Sequence, residues 1–475
     1  MRVAILGAGV TGLSAAYLLL KRGVPVTVYE ASEREGGLAG SFTSHGFTFD
    51  FGPHEFCTTN PALTSLLAEV CGEDLLVIEK RTAQYFNGTY LRYPFEFADV
   101  LKNVDPLLCL RAMAEVAYAR VRNVVRPPLE DSFEAWTRSR FGPTLYRLYF
   151  GPYTQKVWGI DPRSIDPRTA TSRITVDSAW DLIKKSIGYH FLGSEDLQNV
   201  HSEYRRTFYY VRDGIGALQA HLRRRIEELG GRFEFGRKLV QVSRRGDSIV
   251  SLGFENGRTA SGFTNVVSTV PLPNLVRIVL GERGNALVLE NDLPFRGMVF
   301  VFLRVNKPQV LDNHWTYYPD LDIPFQRTTE FVHFEARMTP PGRTGLTLEV
   351  ASNPGDGVWE LHDADIAEKC VRRMCELQLL RREDVDGFDV VRVRNAYPVQ
   401  VMHYQERADA LVDALGEVDN LVTIGRQGLF RYCNMNECVE MSIDVVGKLA
   451  LNPFRVRYTS PSSWMGVDIT ERMTA

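Results

Sequence analysis

No stretch of this chain approaches the ~18 consecutive apolar residues that a membrane-spanning helix needs. Its seven cysteines, Cys57, Cys71, Cys109, Cys370, Cys375, Cys433 and Cys438, contain no C-x-x-C pair. An odd, scattered set argues against a disulfide framework or a structural zinc site and fits free thiols in a reducing compartment. Neither sign of charge prevails: 55 Lys and Arg face 58 Asp and Glu, a net of −3. Without a basic excess, nucleic acid is not expected as a partner. Internal repeats and low-complexity linkers are also missing. With 475 residues, 44% hydrophobic and 24% charged, the chain has the make-up of a globular protein and the length of two or three domains at about 150 residues each. An apolar run that begins at residue 3 leaves no place for a secretory leader, so a cytoplasmic location is expected.

That run, Val3-Ala4-Ile5-Leu6, reads as a parallel strand buried on both faces. Gly7-Ala8-Gly9-Val10-Thr11-Gly12 follows it, then a helical stretch from Leu13 to Lys21 and a second strand from Pro25 to Tyr29, ending in Glu30. In this order Gly7 permits the tight turn, Gly9 lets a pyrophosphate approach the backbone, and Gly12 lets helix and strand pack closely. The helix N-terminus favours the negative charge. Glu30 is placed to accept from an adenosine ribose and would repel a 2′-phosphate, which disfavours NADP. A second glycine cluster, Glu35-Gly36-Gly37-Leu38-Ala39-Gly40, comes directly after the acid. Nicotinamide binding does not require it, and it resembles the extended fingerprint of FAD-dependent oxidoreductases of the amine-oxidase type.

The alternation Phe47-Thr48-Phe49-Asp50 predicts a strand that ends in the turn Gly52-Pro53 before His54. Residues 61–200 read as mostly helical, with helices at Ala114 to Val124 and Phe133 to Leu148 broken by Pro127-Pro128. An α/β pattern returns from 208, and residues 297–350 alternate like an antiparallel sheet. The fold class expected is α/β: a discontinuous Rossmann-like FAD-binding domain (1–80, 205–275 and 390–455), a mostly helical insertion (81–204), an antiparallel-sheet substrate domain (276–389) and a polar tail (456–475). The active site is expected at the seam of these parts.

Further motifs carry a resemblance over nearly the whole length. Gly52-Pro53-His54-Glu55-Phe56-Cys57-Thr58 resembles the G-P-H-x-F-H-T segment of UDP-galactopyranose mutases, with Cys57 in place of their second His. Asn87-Gly88 to Tyr93-Pro94-Phe95 is similar to their G-x-x-Y-x-x-P-F hairpin, with Tyr90 one place early. Lys156-Val157-Trp158-Gly159, followed by Arg173-Ile174, resembles K-x-W-G…R-I. Pro324-Phe325-Gln326-Arg327-Thr328-Thr329-Glu330 resembles P-Y-x-R-x-x-E, and Gly425-Arg426 through Tyr432 resembles G-R-x-x-x-Y-R-Y. Asp177 falls near the place of a second phosphate-binding Arg, and Asn434 replaces the Asp usual after the final Tyr. The Gly425-Arg426 motif and Tyr209-Tyr210-Val211-Arg212-Asp213-Gly214 are shared with protoporphyrinogen-oxidase-like flavoproteins.

The resemblance implies FAD as cofactor, held by Gly7, Gly9, Gly12, Glu30, Gly36, Gly37, Leu239 and Arg426. It implies catalytic roles at the flavin edge for His54 and Arg426, and a substrate site of Trp158, Arg327, Tyr432 and Arg173, with Arg327 and Tyr432 on a diphosphate. The function implied is a pyranose–furanose mutase acting on a nucleotide sugar through a reduced-flavin N5 adduct, with an external reductant such as NAD(P)H and no metal. The alternative is an oxidase or dehydrogenase of the protoporphyrinogen-oxidase or amine-oxidase type; a more remote one is a non-catalytic flavin- or membrane-surface-binding protein. Residues 99–126 place apolar stretches beside Lys102, Arg111, Arg120, Arg122 and Arg126. They read as a solvated helix edge rather than a membrane contact.

Overall fold

Four strands added in parallel to Val3–Leu6 make the first sheet; all but the exposed edge strand Arg232–Glu234 are short, largely buried runs, as a parallel sheet covered on its faces requires. The computed structural model describes residues 1–93, 97–174 and 207–451. The strand order is Leu421–Thr423, Asn265–Ser268, Val3–Leu6, Val26–Tyr29 and Arg232–Glu234, with every pairing parallel. Helices Val10–Lys21 and Met435–Leu451 belong to the same unit, joined where Ser442 Oγ donates to the Thr11 carbonyl at 2.9 Å. This unit comprises Met1–Gly40, Leu218–Pro294 and the described residues from His403. It is a discontinuous Rossmann-like fold.

The second unit, Ser41–Ala217 with Phe295–Met402, is built on a seven-stranded sheet. Its order is Val385–Pro398, Phe295–Val305, Thr344–Ala351, Arg327–Glu330, Trp315–Tyr317, Thr82–Phe86 and Thr89–Tyr93, antiparallel except between Trp315–Tyr317 and Thr82–Phe86. Side-chain alternation along Phe295–Val305 buries both faces. Val299, Val301 and Leu303 join a core that includes Ile366, Cys370 and Met374 of helix Asp363–Glu376. On the same strand, Phe300 and Phe302 meet Phe42, Phe49 and Phe51.

Three expectations change. The helical and sheet insertions form one body, because the hairpin Thr82–Phe86/Thr89–Tyr93 supplies two strands of the sheet. Its turn, Asn87-Gly88, has positive φ at both residues (48° and 87°), the geometry that joins two antiparallel strands tightly. The unit boundary after the glycine loops lies at Gly40, not at 80. The helix expected at Ala114 to Val124 runs Pro106–Val125, because Asp105 caps it from the Leu107 amide at 2.7 Å and proline opens it. Pro94, Phe95, Asp177, the rest of 175–206 and the tail 456–475 lie outside the described residues.

Asp50 ties the start of the second unit together. Its buried carboxylate accepts from Ser41 Oγ at 2.6 Å, from the Ile215 amide at 3.2 Å and from the Tyr210 hydroxyl. Burial pushes it up to about 6, against the opposing pull of these donors. The folded chain therefore keeps its proton to a higher pH than the unfolded chain, which releases it near pH ~4. The group's contribution is present below that pH and is lost as pH rises through about 6. Asp50→Asn is expected to remove a slope worth about 3 kcal/mol between these limits, checked by urea midpoints at acidic and neutral pH.

Candidate active site

The nucleotide half of the site is built in the first unit. Gly7 has φ +111°, and a Cβ on it would stand 2.1 Å from Thr269 Oγ1. A Cβ on Gly12 would stand 2.0 Å from the Gly7 carbonyl oxygen, so both glycines are fixed by the close approach of strand and helix. Gly9 differs. It caps helix Val10–Lys21 with ordinary extended angles, and a Cβ there would meet nothing nearer than the Gly37 Cα at 4.0 Å. The second glycine loop lies alongside, with Gly36 bridging to Gly9 and its amide donating to the Ala8 carbonyl at 3.0 Å. Glu30 accepts from the Ala8 amide (2.7 Å) and from Ser32 through its amide (2.9 Å) and hydroxyl (2.8 Å), which holds the carboxylate beside the glycine turn. Leu239 opens strand Leu239–Arg245 and is buried; two residues earlier, the Arg237 amide donates to the Glu30 carbonyl at 2.7 Å.

These residues fit a dinucleotide. The open space over Gly9 at a helix N-terminus accommodates a pyrophosphate, and the paired glycine loops admit a phosphate chain that side chains would block.

Arg426 lies in the same unit, in the four-residue turn Gly425–Gly428. What positions the side chain is packing: a Cβ on Gly425 would stand 2.8 Å from Thr11 Oγ1, so the turn sits against the first turn of the glycine-loop helix. The guanidinium lies over the Tyr432 ring at 4.6 Å and donates to the Cys433 carbonyl at 3.3 Å. Arg426 and Tyr432 are thus one constellation. All seven cysteines are free, and Cys433 and Cys438 approach with sulfurs 3.7 Å apart. The hydrogen bond between them raises the Cys433 thiol and lowers Cys438, the latter helped by Thr11 and the Arg426 backbone.

The second unit holds the other candidates. Arg327 and Glu349 sit opposite one another on adjacent strands. Arg327 Nε donates to Glu349 Oε1 at 2.6 Å and its Nη2 to Oε2 at 2.8 Å, a bidentate pair. Burial alone would lower Arg327, but the Glu349 carboxylate holds it well above the usual guanidinium range. Tyr397 lies 3.5 Å away through its hydroxyl, and the Arg327 guanidinium stands 5.7 Å from the Tyr317 ring centre. Trp158 packs edge-to-face on Tyr397 at 6.1 Å. Trp158 is the last residue of helix Gly151–Trp158, and a Cβ on the following Gly159 (φ +71°) would stand 2.6 Å from the Arg296 guanidinium. Arg296 in turn donates to the carbonyls of Val157 (3.3 Å) and Ala351 (2.8 Å), pinning the end of that helix to the sheet.

The Gly52-Pro53-His54 loop crosses the same pair. Gly52 has φ +91°, and a Cβ on it would stand 2.6 Å from Glu349 Oε1 and 3.2 Å from Arg327 Nη2. The structure therefore brings the His54 loop, Arg327 and, through Tyr397, Trp158 into one patch. The backbone of Arg173 ends helix Arg168–Arg173; its side chain lies outside what is described. Glu330 does not pair with Arg327. It accepts from the amides of Val310 (2.7 Å) and Leu311 (2.6 Å) and from Thr344 Oγ1 (2.7 Å), a structural role. Sequence reasoning missed Glu349, Tyr317 and Tyr397. A signal for Glu349 was present: a lone acid inside the apolar strand Leu346-Thr347-Leu348-Glu349-Val350 requires a buried cation.

Comparison with known proteins fits this geometry. The family described as flavin containing amine oxidoreductase matches residues 10–427. A crystal structure of reduced UDP-galactopyranose mutase superposes with a TM-score of 0.81 at 21% identity, covering 98% of this chain and 97% of that one. Coproporphyrinogen III oxidase of Staphylococcus aureus is 26% identical over 170 residues, 34% of this chain and 36% of that protein. The chain thus spans about a third of that relative's length. The zeta-carotene-forming phytoene desaturase of Myxococcus xanthus is 22% identical over 417 residues, 79% of this chain and 77% of that protein.

Two outcomes follow. Gly9→Val is expected to fold, since its Cβ enters open space, yet to purify without FAD, while Gly12→Val is expected not to fold; flavin absorbance per mole of soluble protein checks both. Arg327→Ala is expected to cost about 3–5 kcal/mol because it strands a buried carboxylate, whereas Arg327→Met with Glu349→Leu restores most of that, as read by urea denaturation.

Proposed function

We propose, on the premise that the chain belongs to the flavin containing amine oxidoreductase family and is an FAD-dependent enzyme, that it acts on a nucleotide sugar as a pyranose–furanose mutase. The observation that carries this reading is the patch around Arg327. A guanidinium flanked by the hydroxyl of Tyr397 and the ring of Tyr317, with Trp158 behind Tyr397, suits an anionic, hydroxylated ligand. Arg327 Nη1, the nitrogen not directed at Glu349, would meet a diphosphate oxygen, with the Tyr397 hydroxyl as a second donor. Trp158 and the tyrosines would offer faces on which sugar and base stack. The likeness to a reduced UDP-galactopyranose mutase over nearly the full length supports this reading.

Gly7, Gly9, Gly12, Glu30, Gly36, Gly37 and Leu239 would hold the adenosine and pyrophosphate half of FAD. Bound and reduced, that cofactor supplies the nucleophile for the anomeric carbon, so the chain needs none of its own. Arg426 would contribute positive charge that favours an anionic reduced cofactor. His54, set by the Gly52-Pro53 turn over the Arg327 pair, would steady the cofactor edge.

A second reading, an oxidase or dehydrogenase, is favoured by two observations. Glu349 already neutralises Arg327, and the sequence relatives named above are an oxidase and a desaturase. The two readings separate in one experiment. Dithionite-reduced protein is incubated anaerobically with nucleotide sugars while isomer ratio and flavin absorbance are followed. Isomerisation at constant absorbance, with no net use of reductant, is the expected result. Turnover only by the oxidised enzyme, with stoichiometric bleaching or peroxide release, would replace the mutase reading by the oxidoreductase one.

A further inference from the structure

Helix Pro106–Val125 is turned inside out. Its buried residues are Val116 and Ala119. Away from them point Leu107 (76% exposed), Leu110 (64%), Met113 (46%), Tyr118 (69%), Val121 (66%) and Val124 (81%). At ~100° per residue these six fall within one arc of about 140° opposite the buried side, and no charged residue lies inside it. The charges stand at its edges: Arg120 along one, Arg111 and Arg122 along the other, with Arg126 capping the C-terminus. Arg111 is matched by Glu115 at 3.1 Å. Among the described residues, none of Arg120, Arg122 and Arg126 is in an ion pair. The sequence alone reads this segment as a solvated helix edge; the structure gives water the apolar face.

We infer that this helix lies in the surface of an anionic lipid bilayer, its apolar arc in the acyl boundary and its arginines against the headgroups. An apolar arc edged by arginines is the arrangement of an interfacial helix, whose long cationic side chains reach the lipid phosphates while their stems stay in apolar surroundings. No helix among the described residues is long and apolar enough to cross a membrane, so attachment would be in the plane. A second copy of the chain suits the face less well. Twenty residues of helix are ~30 Å long and ~10 Å wide, a footprint of roughly 300 Å², against about 800 Å² per partner in a stable protein interface. The uncompensated arginines, all of one sign, complement a sheet of negative headgroups.

The test is flotation of the FAD-loaded full chain with vesicles of phosphatidylcholine alone and of equimolar phosphatidylcholine and phosphatidylglycerol. The expected result is binding to the anionic vesicles, weakened by salt. Leu110→Glu with Val121→Glu should reduce it about ten-fold or more. Arg120→Gln, Arg122→Gln and Arg126→Gln together should abolish the preference for phosphatidylglycerol. Unchanged flavin content and circular dichroism establish that these surface variants are folded. Absence of flotation with either vesicle overturns the proposal, as does equal binding to both. A dimer in solution that Leu110→Glu with Val121→Glu converts to monomer would assign the face to a second copy instead.

Discussion

Arg327 and Glu349 face one another across two strands with the carboxylate almost wholly removed from water. Taking two charges out of water costs several kcal/mol per ion, and only good geometry recovers it. Both hydrogen bonds of the fork are made, so the pair has one orientation rather than many. That orientation governs its surroundings. The loop carrying His54 must pass as glycine at residue 52, because any side chain there would strike Glu349. The Tyr317 ring and the Tyr397 hydroxyl both lie by the guanidinium, and Trp158 packs on Tyr397. A patch set by a fixed ion pair is preorganised, which keeps the entropy cost of binding low.

The first unit works by the opposite means, leaving room rather than filling it. Gly7 and Gly12 are constrained by neighbours within 2.1 Å of a hypothetical Cβ, while Gly9 opens onto space. Three glycines of one motif thus do two different jobs. The turn bearing Arg426 is seated on Thr11 of the helix that follows the motif. A cation from the far end of the sequence is thereby brought to the start of the nucleotide fold. Asp50 does similar work in the second unit, where Ser41, Tyr210 and Ile215 converge on one carboxyl group at the base of the His54 loop.

Much of this was legible because it rests on local rules. The strand, glycine turn, helix and acid of residues 3–30 follow from steric need and appear at the expected places. The buried strands Phe295–Val305 and Thr344–Ala351 announce themselves by composition. What stayed hidden depends on partners distant in sequence. Nothing near Thr82–Tyr93 says that this hairpin completes a sheet begun two hundred residues later. The Gly425-Arg426 motif singles out Arg426, but its position comes from Thr11 and Tyr432, which lie far from it or beyond its turn in sequence. In helix Pro106–Val125 the apolar period was visible, but a period does not say which side faces water. The acid Glu349 was readable as a demand for a cation, though not as the partner of Arg327.

Binding of a nucleoside diphosphate by the Arg327 patch is tested most directly by calorimetric titration of uridine diphosphate into the FAD-loaded protein. The predicted result is saturable one-to-one binding that Arg327→Met with Glu349→Leu weakens by about 2–4 kcal/mol while flavin content stays unchanged. Equal affinity in both proteins, or no saturable binding by the wild type, would contradict it.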